Sequence, residues 1–290
     1  MPELPEVEAI VRDLNKEIIG RKILNAWTDF PRNIKFPKTF EEFKRKIKDK
    51  KIEKVWRRGK NIIIELSGGL TLLIHQKLTG HLLIGKWKLE NRRWVPLTKG
   101  PLEEPVNKFI HLIFWLDNGK MLVLSDLRKF AKVMLAETKK LSDLEDLKNL
   151  GPEPLEKSFS FEKFKKILQK SQGKIKQVLM DQSVIAGIGN IYSDEILWKA
   201  KIHPFKEVKQ LSDEELKKIY LVMREILLKA MKLGGESISD YRRISGEKGY
   251  FDEERKVYRR EGEKCSRCGT IIKRVKIGGR SAHYCPNCQK

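Results

Sequence analysis

The sequence lacks both a long hydrophobic run and the pattern of a signal peptide. No stretch approaches the roughly 18 apolar residues that a membrane helix requires. The opening segment, MPELPEVE, carries three glutamates instead of a basic segment followed by an apolar one. The 290 residues are enough for two or three domains with hydrophobic cores. We therefore expect a globular protein of the cytosol.

Cysteine is scarce, and its placement is informative. The four cysteines form the pairs Cys265-x2-Cys268 and Cys285-x2-Cys288, with 16 residues between the pairs. This spacing is typical of a zinc ribbon, in which four thiolates saturate one tetrahedral ion. Two disulfides are the alternative, which a cytosolic compartment disfavours. The spacing predicts one structural Zn²⁺ that folds the tail and takes no part in catalysis.

Acidic residues are outnumbered by basic ones. The chain has 61 Lys and Arg against 39 Asp and Glu, a formal charge of +22. Such a surface favours a polyanionic partner, because counterions released from nucleic-acid phosphates drive association. A ribosome-associated or merely lysine-rich protein is the alternative that charge alone leaves open.

The hydrophobic pattern changes along the chain and predicts an α+β multi-domain protein. Val7, Ile10, Val11, Leu14 and Ile18 recur at helical spacing, with Pro5 suited to the first turn and Gly20 to the stop. Short β-rich runs such as NIIIEL and HLIFWL follow and favour an antiparallel sandwich or barrel. Later segments have helical period, and Ser212 with Glu215 forms a capping box. The predicted boundaries are 1–136 for the helix and β-sandwich, 137–154 for a linker, 155–255 for a helical domain and 256–290 for the zinc finger.

The opening residues favour nucleophilic chemistry. Met before Pro2 is normally removed, which leaves a secondary amine with a pKa of about 7.7 to 8. Such an amine is a better nucleophile near neutral pH than a lysine, and its attack on a sugar carbon gives an iminium. Glu3 and Glu6 are placed to transfer protons beside it. The alternative is that both acids only complement the helix dipole.

The stretch DQSVIAGIGNIYSDEIL predicts a tight turn between two helices. Its glycines permit close helix approach, and the turn exposes backbone N–H groups that can bind a phosphate, with Asn190 as a further donor. An ordinary helical turn is the alternative.

The chain contains five short motifs that are considered together, in chain order. They are PELPEVE at the start, RRGKN at 57–61, DLRKF at 126–130, MDQSVIAGIGNIYSDE at 180–195 and GGRSAHYCPNCQ near the end. Together they closely resemble the bacterial formamidopyrimidine-DNA glycosylase family, which repairs 8-oxoguanine, and the resemblance runs from Pro2 to Gln289. It implies an N-terminal helix with a β-sandwich, a helix-two-turn-helix domain and a C-terminal zinc-ribbon finger.

The resemblance also implies roles for five residues. Pro2 matches the nucleophile that attacks C1′ and forms a Schiff base. Glu3 matches the acid that protonates the sugar ring or the leaving base, and Glu6 matches a supporting carboxylate. Lys60 matches the proton donor in β-elimination. Arg280 matches the finger arginine that binds the phosphates flanking the lesion and assists δ-elimination.

Further residues match positions that contact DNA in the family. Arg128 and Phe130 match the wedge that fills the gap left by an everted nucleotide, and Leu78 stands where the third wedge residue is usually Met. The other predicted DNA contacts are His111, Lys174, Lys176, Asn190 and Tyr192.

Some positions depart from the family pattern. Ala131 follows Phe130 where glycine is common. Glu236 and Ser239 replace a hydroxyl residue and an arginine in the segment that leads, in the family, into the loop covering the everted base. These changes bear on lesion preference.

The resemblance implies a bifunctional glycosylase and abasic-site lyase that excises oxidised purines and cuts the strand by β,δ-elimination. The implied partner is double-stranded DNA containing oxidised or abasic sites, bound by a monomer in the bacterial cytosol. One alternative is an endonuclease VIII-like enzyme for oxidised pyrimidines, and another is a non-catalytic binder of damaged DNA. A zinc-ribbon ribosomal or transcription factor would leave the first 130 residues without a purpose.

The charge predicts a strong salt dependence of DNA binding. Because phosphate contacts release counterions, six or more of them should lower the affinity by about 10³-fold or more between about 50 and 200 mM salt. A titration of labelled duplex at several salt concentrations measures this. An affinity that stays flat over that range would contradict the prediction.

Overall fold

The structure, a computed structural model, describes residues 1–237 and 240–290 of the chain. It divides into two compact units. The first unit contains Met1–Lys148 and Leu233–Asp252, and the second contains Asn149–Lys232 and Glu253–Lys290. None of the described helices is both long and apolar enough to span a membrane.

The first unit begins with helix α1, Leu4–Glu17. Pro5 lies in its first turn, where a missing backbone N–H costs nothing. Glu3 is the N-cap and forms a capping box with Glu6. The apolar residues at helical spacing are buried, and the helix ends before Gly20, whose φ is +80°. The predicted N-terminal helix is thus present.

Eleven strands follow helix α1 among the described residues of this unit. In chain order they are β1 Ile23–Thr28, β2 Ile34–Phe36, β3 Ile52–Arg58, β4 Asn61–Leu66, β5 Leu70–His75, β6 His81–Gly85, β7 Trp87–Glu90, β8 Arg93–Pro96, β9 Ile110–Leu116, β10 Met121–Ser125 and β11 Lys132–Glu137. Helices α2, Phe40–Ile47, and α3, Glu145–Lys148, complete the unit.

The strands form a β-sandwich, as the sequence predicts. One sheet has the order β1-β9-β10-β6, and the other has the order β2-β11-β5-β4-β3. The pairs are antiparallel except β2 with β11. Buried side chains of α1 and of both sheets form one hydrophobic cluster that includes Ile10, Ile64 and Phe114. The β7-β8 hairpin is separate, and its Trp87 joins a second cluster on β6, β9 and β10.

The sheet register places polar residues of the candidate site side by side. His75, at the end of β5, lies opposite Asn61 on β4 and opposite Lys132 on β11. The β3-β4 turn, which contains Lys60, adjoins Asn61. One end of the five-stranded sheet therefore carries Lys60 and His75 close together.

The second unit is helical and ends in a β-hairpin. Its helices are α4 Phe161–Lys170, α5 Ile175–Met180, α6 Asn190–Ala200 and α7 Asp213–Lys232, and its hairpin strands are β12 Lys273–Ile277 and β13 Arg280–Tyr284. The predicted capping box is present, because Ser212 N donates to Glu215 Oε2 at 3.0 Å and Glu215 N donates to Ser212 Oγ at 3.3 Å.

The unit boundaries differ from the predicted domain boundaries. Residues 138–143 form a 3₁₀ helix and 145–148 form α3, and both belong to the first unit rather than to a free linker. The segment 233–252 also packs with the first unit, because Glu6 binds the backbone of Glu236. Polar, glycine-rich sequence gave no indication of this long-range contact.

Two buried acids of α6 bind the zinc-finger segment inside the second unit. The Glu195 carboxylate accepts hydrogen bonds from the backbone N–H groups of Lys256, Val257 and Tyr258 at 2.9 to 3.0 Å. Asp194 Oδ2 accepts from His283 N at 3.0 Å and lies 2.9 Å from His283 Nδ1. Burial raises the pKa of Glu195, and the three N–H donors oppose that shift. The finger is therefore fixed to α6 through polar contacts as well as packing.

The variant Glu195→Gln tests this anchor. Either amide orientation puts an NH₂ group against a backbone N–H, so we expect the free energy of unfolding to fall by about 2–3 kcal/mol. Chemical denaturation measures the change. The matched control is Glu225→Gln, whose carboxylate pairs with Lys199 on the surface and should contribute about 0–1 kcal/mol. Equal effects of the two substitutions would contradict the anchor.

Candidate active site and DNA interface

The chain start is a tightly fixed arrangement of an N-terminal proline and two acids. Pro2 is buried, and Glu3 and Glu6 are 2% and 1% exposed. Glu3 N donates to Glu6 Oε2 at 2.7 Å, so the helix that begins at Leu4 sets the distance between the two carboxylates. Met1 is exposed, and removal of this residue makes the Pro2 nitrogen the chain terminus, one residue before the N-cap Glu3. The structure brings together these three predicted catalytic residues.

Glu6 also binds the segment that follows α7. Its Oε1 accepts from Glu236 N at 2.8 Å. Gly235, at φ +86°, leaves no room for a side chain, because a Cβ there would lie 2.8 Å from Glu6 Cγ. The Tyr241 hydroxyl lies 3.3 Å from Glu6 O, and burial, then the Glu6 charge, raise the Tyr241 pKa well above its usual value. Glu6 thus connects the chain start to residues 235–241. Ser239, which differs from the family pattern, lies outside the residues that the structure describes.

Lys60 lies in the turn between β3 and β4, after Gly59 at φ +56°. Its residue exposure is 6%. Burial, followed by the charges of Lys77 and Lys60, lowers the pKa of His75 to about 3, so this imidazole is neutral at physiological pH. His75 Nδ1 accepts from Lys77 N at 3.0 Å. His75 was not among the predicted site residues, because the motif HQKLTG was interpreted only through Leu78; the structure places it within electrostatic reach of Lys60.

The three predicted wedge residues lie on two loops of the first unit. Leu78 is on the loop between β5 and β6, and Arg128 and Phe130 are on the loop between β10 and β11. Phe130 is 51% exposed, and the Arg128 guanidinium lies 4.8 Å from its ring centroid. Leu78 is half-buried. An exposed phenylalanine held beside an arginine is suited to stacking on bases and pairing with phosphates or base edges.

His111 lies on β9 and is 8% exposed. Its Nδ1 is 2.8 Å from Asp29 Oδ1, and Nε2 has no hydrogen-bond partner in the described part of the chain. Nε2 is buried as well, and His111 stays a predicted DNA contact.

The second unit holds Asn190, Lys174 and Arg280 near its surface. Asn190 is the first residue of α6 and follows Gly187, whose φ is +95°. Lys174 precedes α5, with Nζ 4.4 Å from the Phe205 ring centroid. Arg280 is exposed at the start of β13. A cleft of about 680 Å³ is lined by Asn190, Tyr258, Arg259, Glu261, Arg274, Ser281 and His283.

Two predicted DNA contacts are wrong. Lys176 is 0% exposed, and its ammonium pairs with Asp194 inside the helical unit, so it cannot reach a phosphate. Tyr192 is also 0% exposed and is a core residue of α6. Both lie at buried positions of their helices, which the motif comparison did not distinguish from surface positions.

The four cysteines converge on one point. The Sγ atoms of Cys265, Cys268, Cys285 and Cys288 all lie within 4.8 Å of one another, which fits the tetrahedral coordination of Zn²⁺ by four thiolates. The predicted structural zinc site is thereby confirmed, with no position left for a reactive water.

The sandwich with its N-terminal helix, the helical unit and the four-thiolate finger define a class of DNA glycosylases that contain a helix-two-turn-helix domain and a zinc finger. The model of the formamidopyrimidine-DNA glycosylase N-terminal domain matches residues 1–133, and that of its H2TH domain matches 150–242. The zinc finger found in FPG and IleRS matches 262–290. The chain belongs to the formamidopyrimidine-DNA glycosylase family, as its motifs predicted.

Individual relatives are similar in sequence to this chain over its full length. A formamidopyrimidine-DNA glycosylase of Pelotomaculum thermopropionicum is 40% identical and covers 100% of this chain and 99% of its own. That of Lactococcus lactis subsp. cremoris is 39% identical and covers 100% of both chains.

Solved structures of DNA complexes also match. Lactococcus lactis Fpg bound to DNA containing an abasic site has a TM-score of 0.85 at 38% identity over 99% of both chains. MutM bound to DNA containing carbocyclic 8-oxo-G has a TM-score of 0.86 at 38% identity over 100% of both.

Removal of one thiolate tests the zinc site. We expect Cys268→Ser to release zinc and weaken DNA binding, because the hairpin that presents Arg280 loses its metal crosslink. Metal analysis of the purified protein and a duplex-binding titration measure the two effects. Retained stoichiometric zinc in this variant would contradict the assignment of Cys268 as a ligand.

Proposed function

We propose that Pro2 is the nucleophile with which this enzyme excises oxidised purines from DNA and cuts the strand at the resulting abasic site. The observation that carries the proposal is the fixed geometry at the chain start. Glu6 binds the backbone of Glu3, and the helix cap holds both acids next to the residue whose amine methionine removal exposes. A purely structural capping box would account for Glu3 and Glu6 but needs no proline at position 2.

Base excision follows from this geometry. The Pro2 nitrogen donates its lone pair to C1′ as the C1′–N bond breaks with its electron pair on the base. Glu3 supplies the proton that the departing base or the opening sugar ring requires. The attacked nitrogen then loses its proton to the Glu3 carboxylate, which passes it to O4′ as the C1′–O4′ bond breaks, and this ring opening gives an iminium between C1′ and the Pro2 nitrogen. Glu6 keeps Glu3 in position, because its Oε2 accepts the Glu3 N–H.

Strand cleavage uses the same covalent intermediate. The iminium withdraws electrons from C2′, so loss of a C2′ proton expels the 3′ phosphate by β-elimination. A second elimination expels the 5′ phosphate. Lys60 donates a proton in the first elimination, and Arg280 binds the flanking phosphates and assists the second. The neutral imidazole of His75 gives the Lys60 ammonium an uncharged neighbour.

The substrate is DNA that contains oxidised purines. Relatives with 38% identity over the full length have been solved with DNA containing Fapy-dG and with DNA containing carbocyclic 8-oxo-G. Leu78, Arg128 and Phe130 fill the space of the everted nucleotide, while Asn190, Lys174 and His111 Nε2 contact the DNA backbone. The protein acts as a monomer in the bacterial cytosol, where its substrate is located.

Reductive trapping tests the nucleophile. Borohydride reduces an iminium to a stable amine, so the processed wild-type protein should become covalently linked to duplex containing 8-oxoguanine or an abasic site. We expect Pro2→Gly to bind the duplex normally while its single-turnover excision rate falls by more than about tenfold. A form that retains Met1 should bind and give no adduct, because its Pro2 nitrogen is an amide.

Pro5→Ala is the matched control. It also removes a proline near the chain start but leaves the secondary amine of Pro2 intact, whereas Pro2→Gly carries a primary amine at its terminus. The trapping yield of Pro5→Ala should therefore equal that of the wild type. Loss of trapping in Pro5→Ala but not in Pro2→Gly would refute the assignment.

A further inference from the structure

The loops that carry the wedge residues meet at a buried carboxylate that the catalytic scheme does not use. Asp126 follows β10, is 0% exposed and lies directly before the exposed residues Leu127 to Phe130. An isolated buried carboxylate is costly, so it persists only where donors surround it.

The Asp126 side chain binds donors from both loops. Oδ1 accepts from the Thr79 hydroxyl, which belongs to the β5-β6 loop, and from Arg128 N at 3.3 Å. Oδ2 accepts from Ala131 N at 2.7 Å. The Thr79 hydroxyl oxygen in turn accepts from Arg128 N at 3.1 Å. One carboxylate therefore fixes the backbone on both sides of Phe130 and the residue after Leu78.

The backbone around Asp126 is fixed as well. Asp126 N donates to Phe109 O at 2.8 Å, and Lys129 N donates to Asp126 O at 3.1 Å. Gly80 closes the other loop, because Gly80 N donates to Gln76 O at 3.1 Å. A Cβ on Gly80 would lie 3.1 Å from Ala131 Cβ, so the two loops approach closely.

We propose that Asp126 is a positioning residue that holds the loops 76–80 and 126–131 as one rigid body, so that Leu78, Arg128 and Phe130 enter the duplex together. The inference rests on the proposed function, since it assigns the wedge a role in nucleotide eversion. Eversion costs a few kcal/mol, which inserted side chains offset. Side chains that are already ordered before binding lose less conformational entropy on insertion than mobile ones.

The proposal predicts different effects on the reaction rates of duplex and single-stranded substrates. An oxidised base in a duplex requires insertion of the wedge, whereas an abasic site in single-stranded DNA has neither a paired partner nor a stacked base to displace. Loss of the Asp126 carboxylate should therefore slow excision of 8-oxoguanine paired with cytosine. It should leave the rate of strand cleavage at a single-stranded abasic site unchanged. Loss of catalytic geometry or of folding would slow both reactions.

The experiment compares Asp126→Asn with the wild type on these two substrates under single-turnover conditions. In either orientation the amide NH₂ of the variant faces an N–H or O–H donor. We expect the duplex rate to fall by about tenfold or more and the single-strand rate to change by less than about twofold. Fluorescence of 2-aminopurine beside the lesion should rise more slowly, which reports delayed insertion.

Thr79→Val and Thr79→Ser form a second, milder pair. Valine keeps the shape but removes the hydroxyl that links the loops, whereas serine retains that hydroxyl. Thr79→Val should show the same duplex-selective loss, and Thr79→Ser should resemble the wild type. This pair decides the question if Asp126→Asn does not fold.

Equal losses of rate on both substrates would overturn the proposal. So would an unchanged duplex rate in Asp126→Asn or in Thr79→Val. A wild-type protein that fails to cleave either substrate would instead refute the proposed function.

Discussion

The candidate active site depends on the hydrogen bonds of one carboxylate. Glu6 Oε2 accepts from Glu3 N at 2.7 Å, and Glu6 Oε1 accepts from Glu236 N at 2.8 Å. The second bond connects residues 230 positions apart, and together the two bonds fix the first turn of α1 against the segment after α7. A nucleophile at the very end of a chain would ordinarily fray, and this carboxylate removes that freedom. The chemistry of a flexible terminus thereby becomes that of a preorganised site.

Buried acids have the same role elsewhere in this strongly basic chain. Asp126 binds backbone N–H groups of the wedge loops, and Glu195 binds three N–H groups before the finger. Exposed cations and aromatic side chains on those segments remain available for DNA. Carboxyl oxygens suit this role, because each can accept more than one hydrogen bond from a backbone N–H.

Much of the fold was predictable from local sequence. The period of the hydrophobic residues indicated α1 and the strands of the sandwich. The capping residues indicated the start of α7, and the cysteine spacing indicated the zinc site. Each of these signals depends on residues close in sequence. Contacts over long sequence separations were not predictable in this way. The hydrogen bond between Glu236 and Glu6 is one example, because nothing in the local sequence reveals it. Lys176 was taken for a phosphate ligand because its partner Asp194 lies on a different helix. The loop-connecting role of Asp126 required the position of Thr79, which belongs to another loop.

The central claim is that the nitrogen of Pro2 becomes bonded to deoxyribose. The most direct measurement is peptide mapping by mass spectrometry of the borohydride-reduced protein–DNA adduct after digestion of both components. The account predicts that the sugar fragment is attached to the N-terminal peptide, at the Pro2 nitrogen. Attachment to Lys60 or to any other lysine, with an unmodified N-terminal peptide, would contradict it.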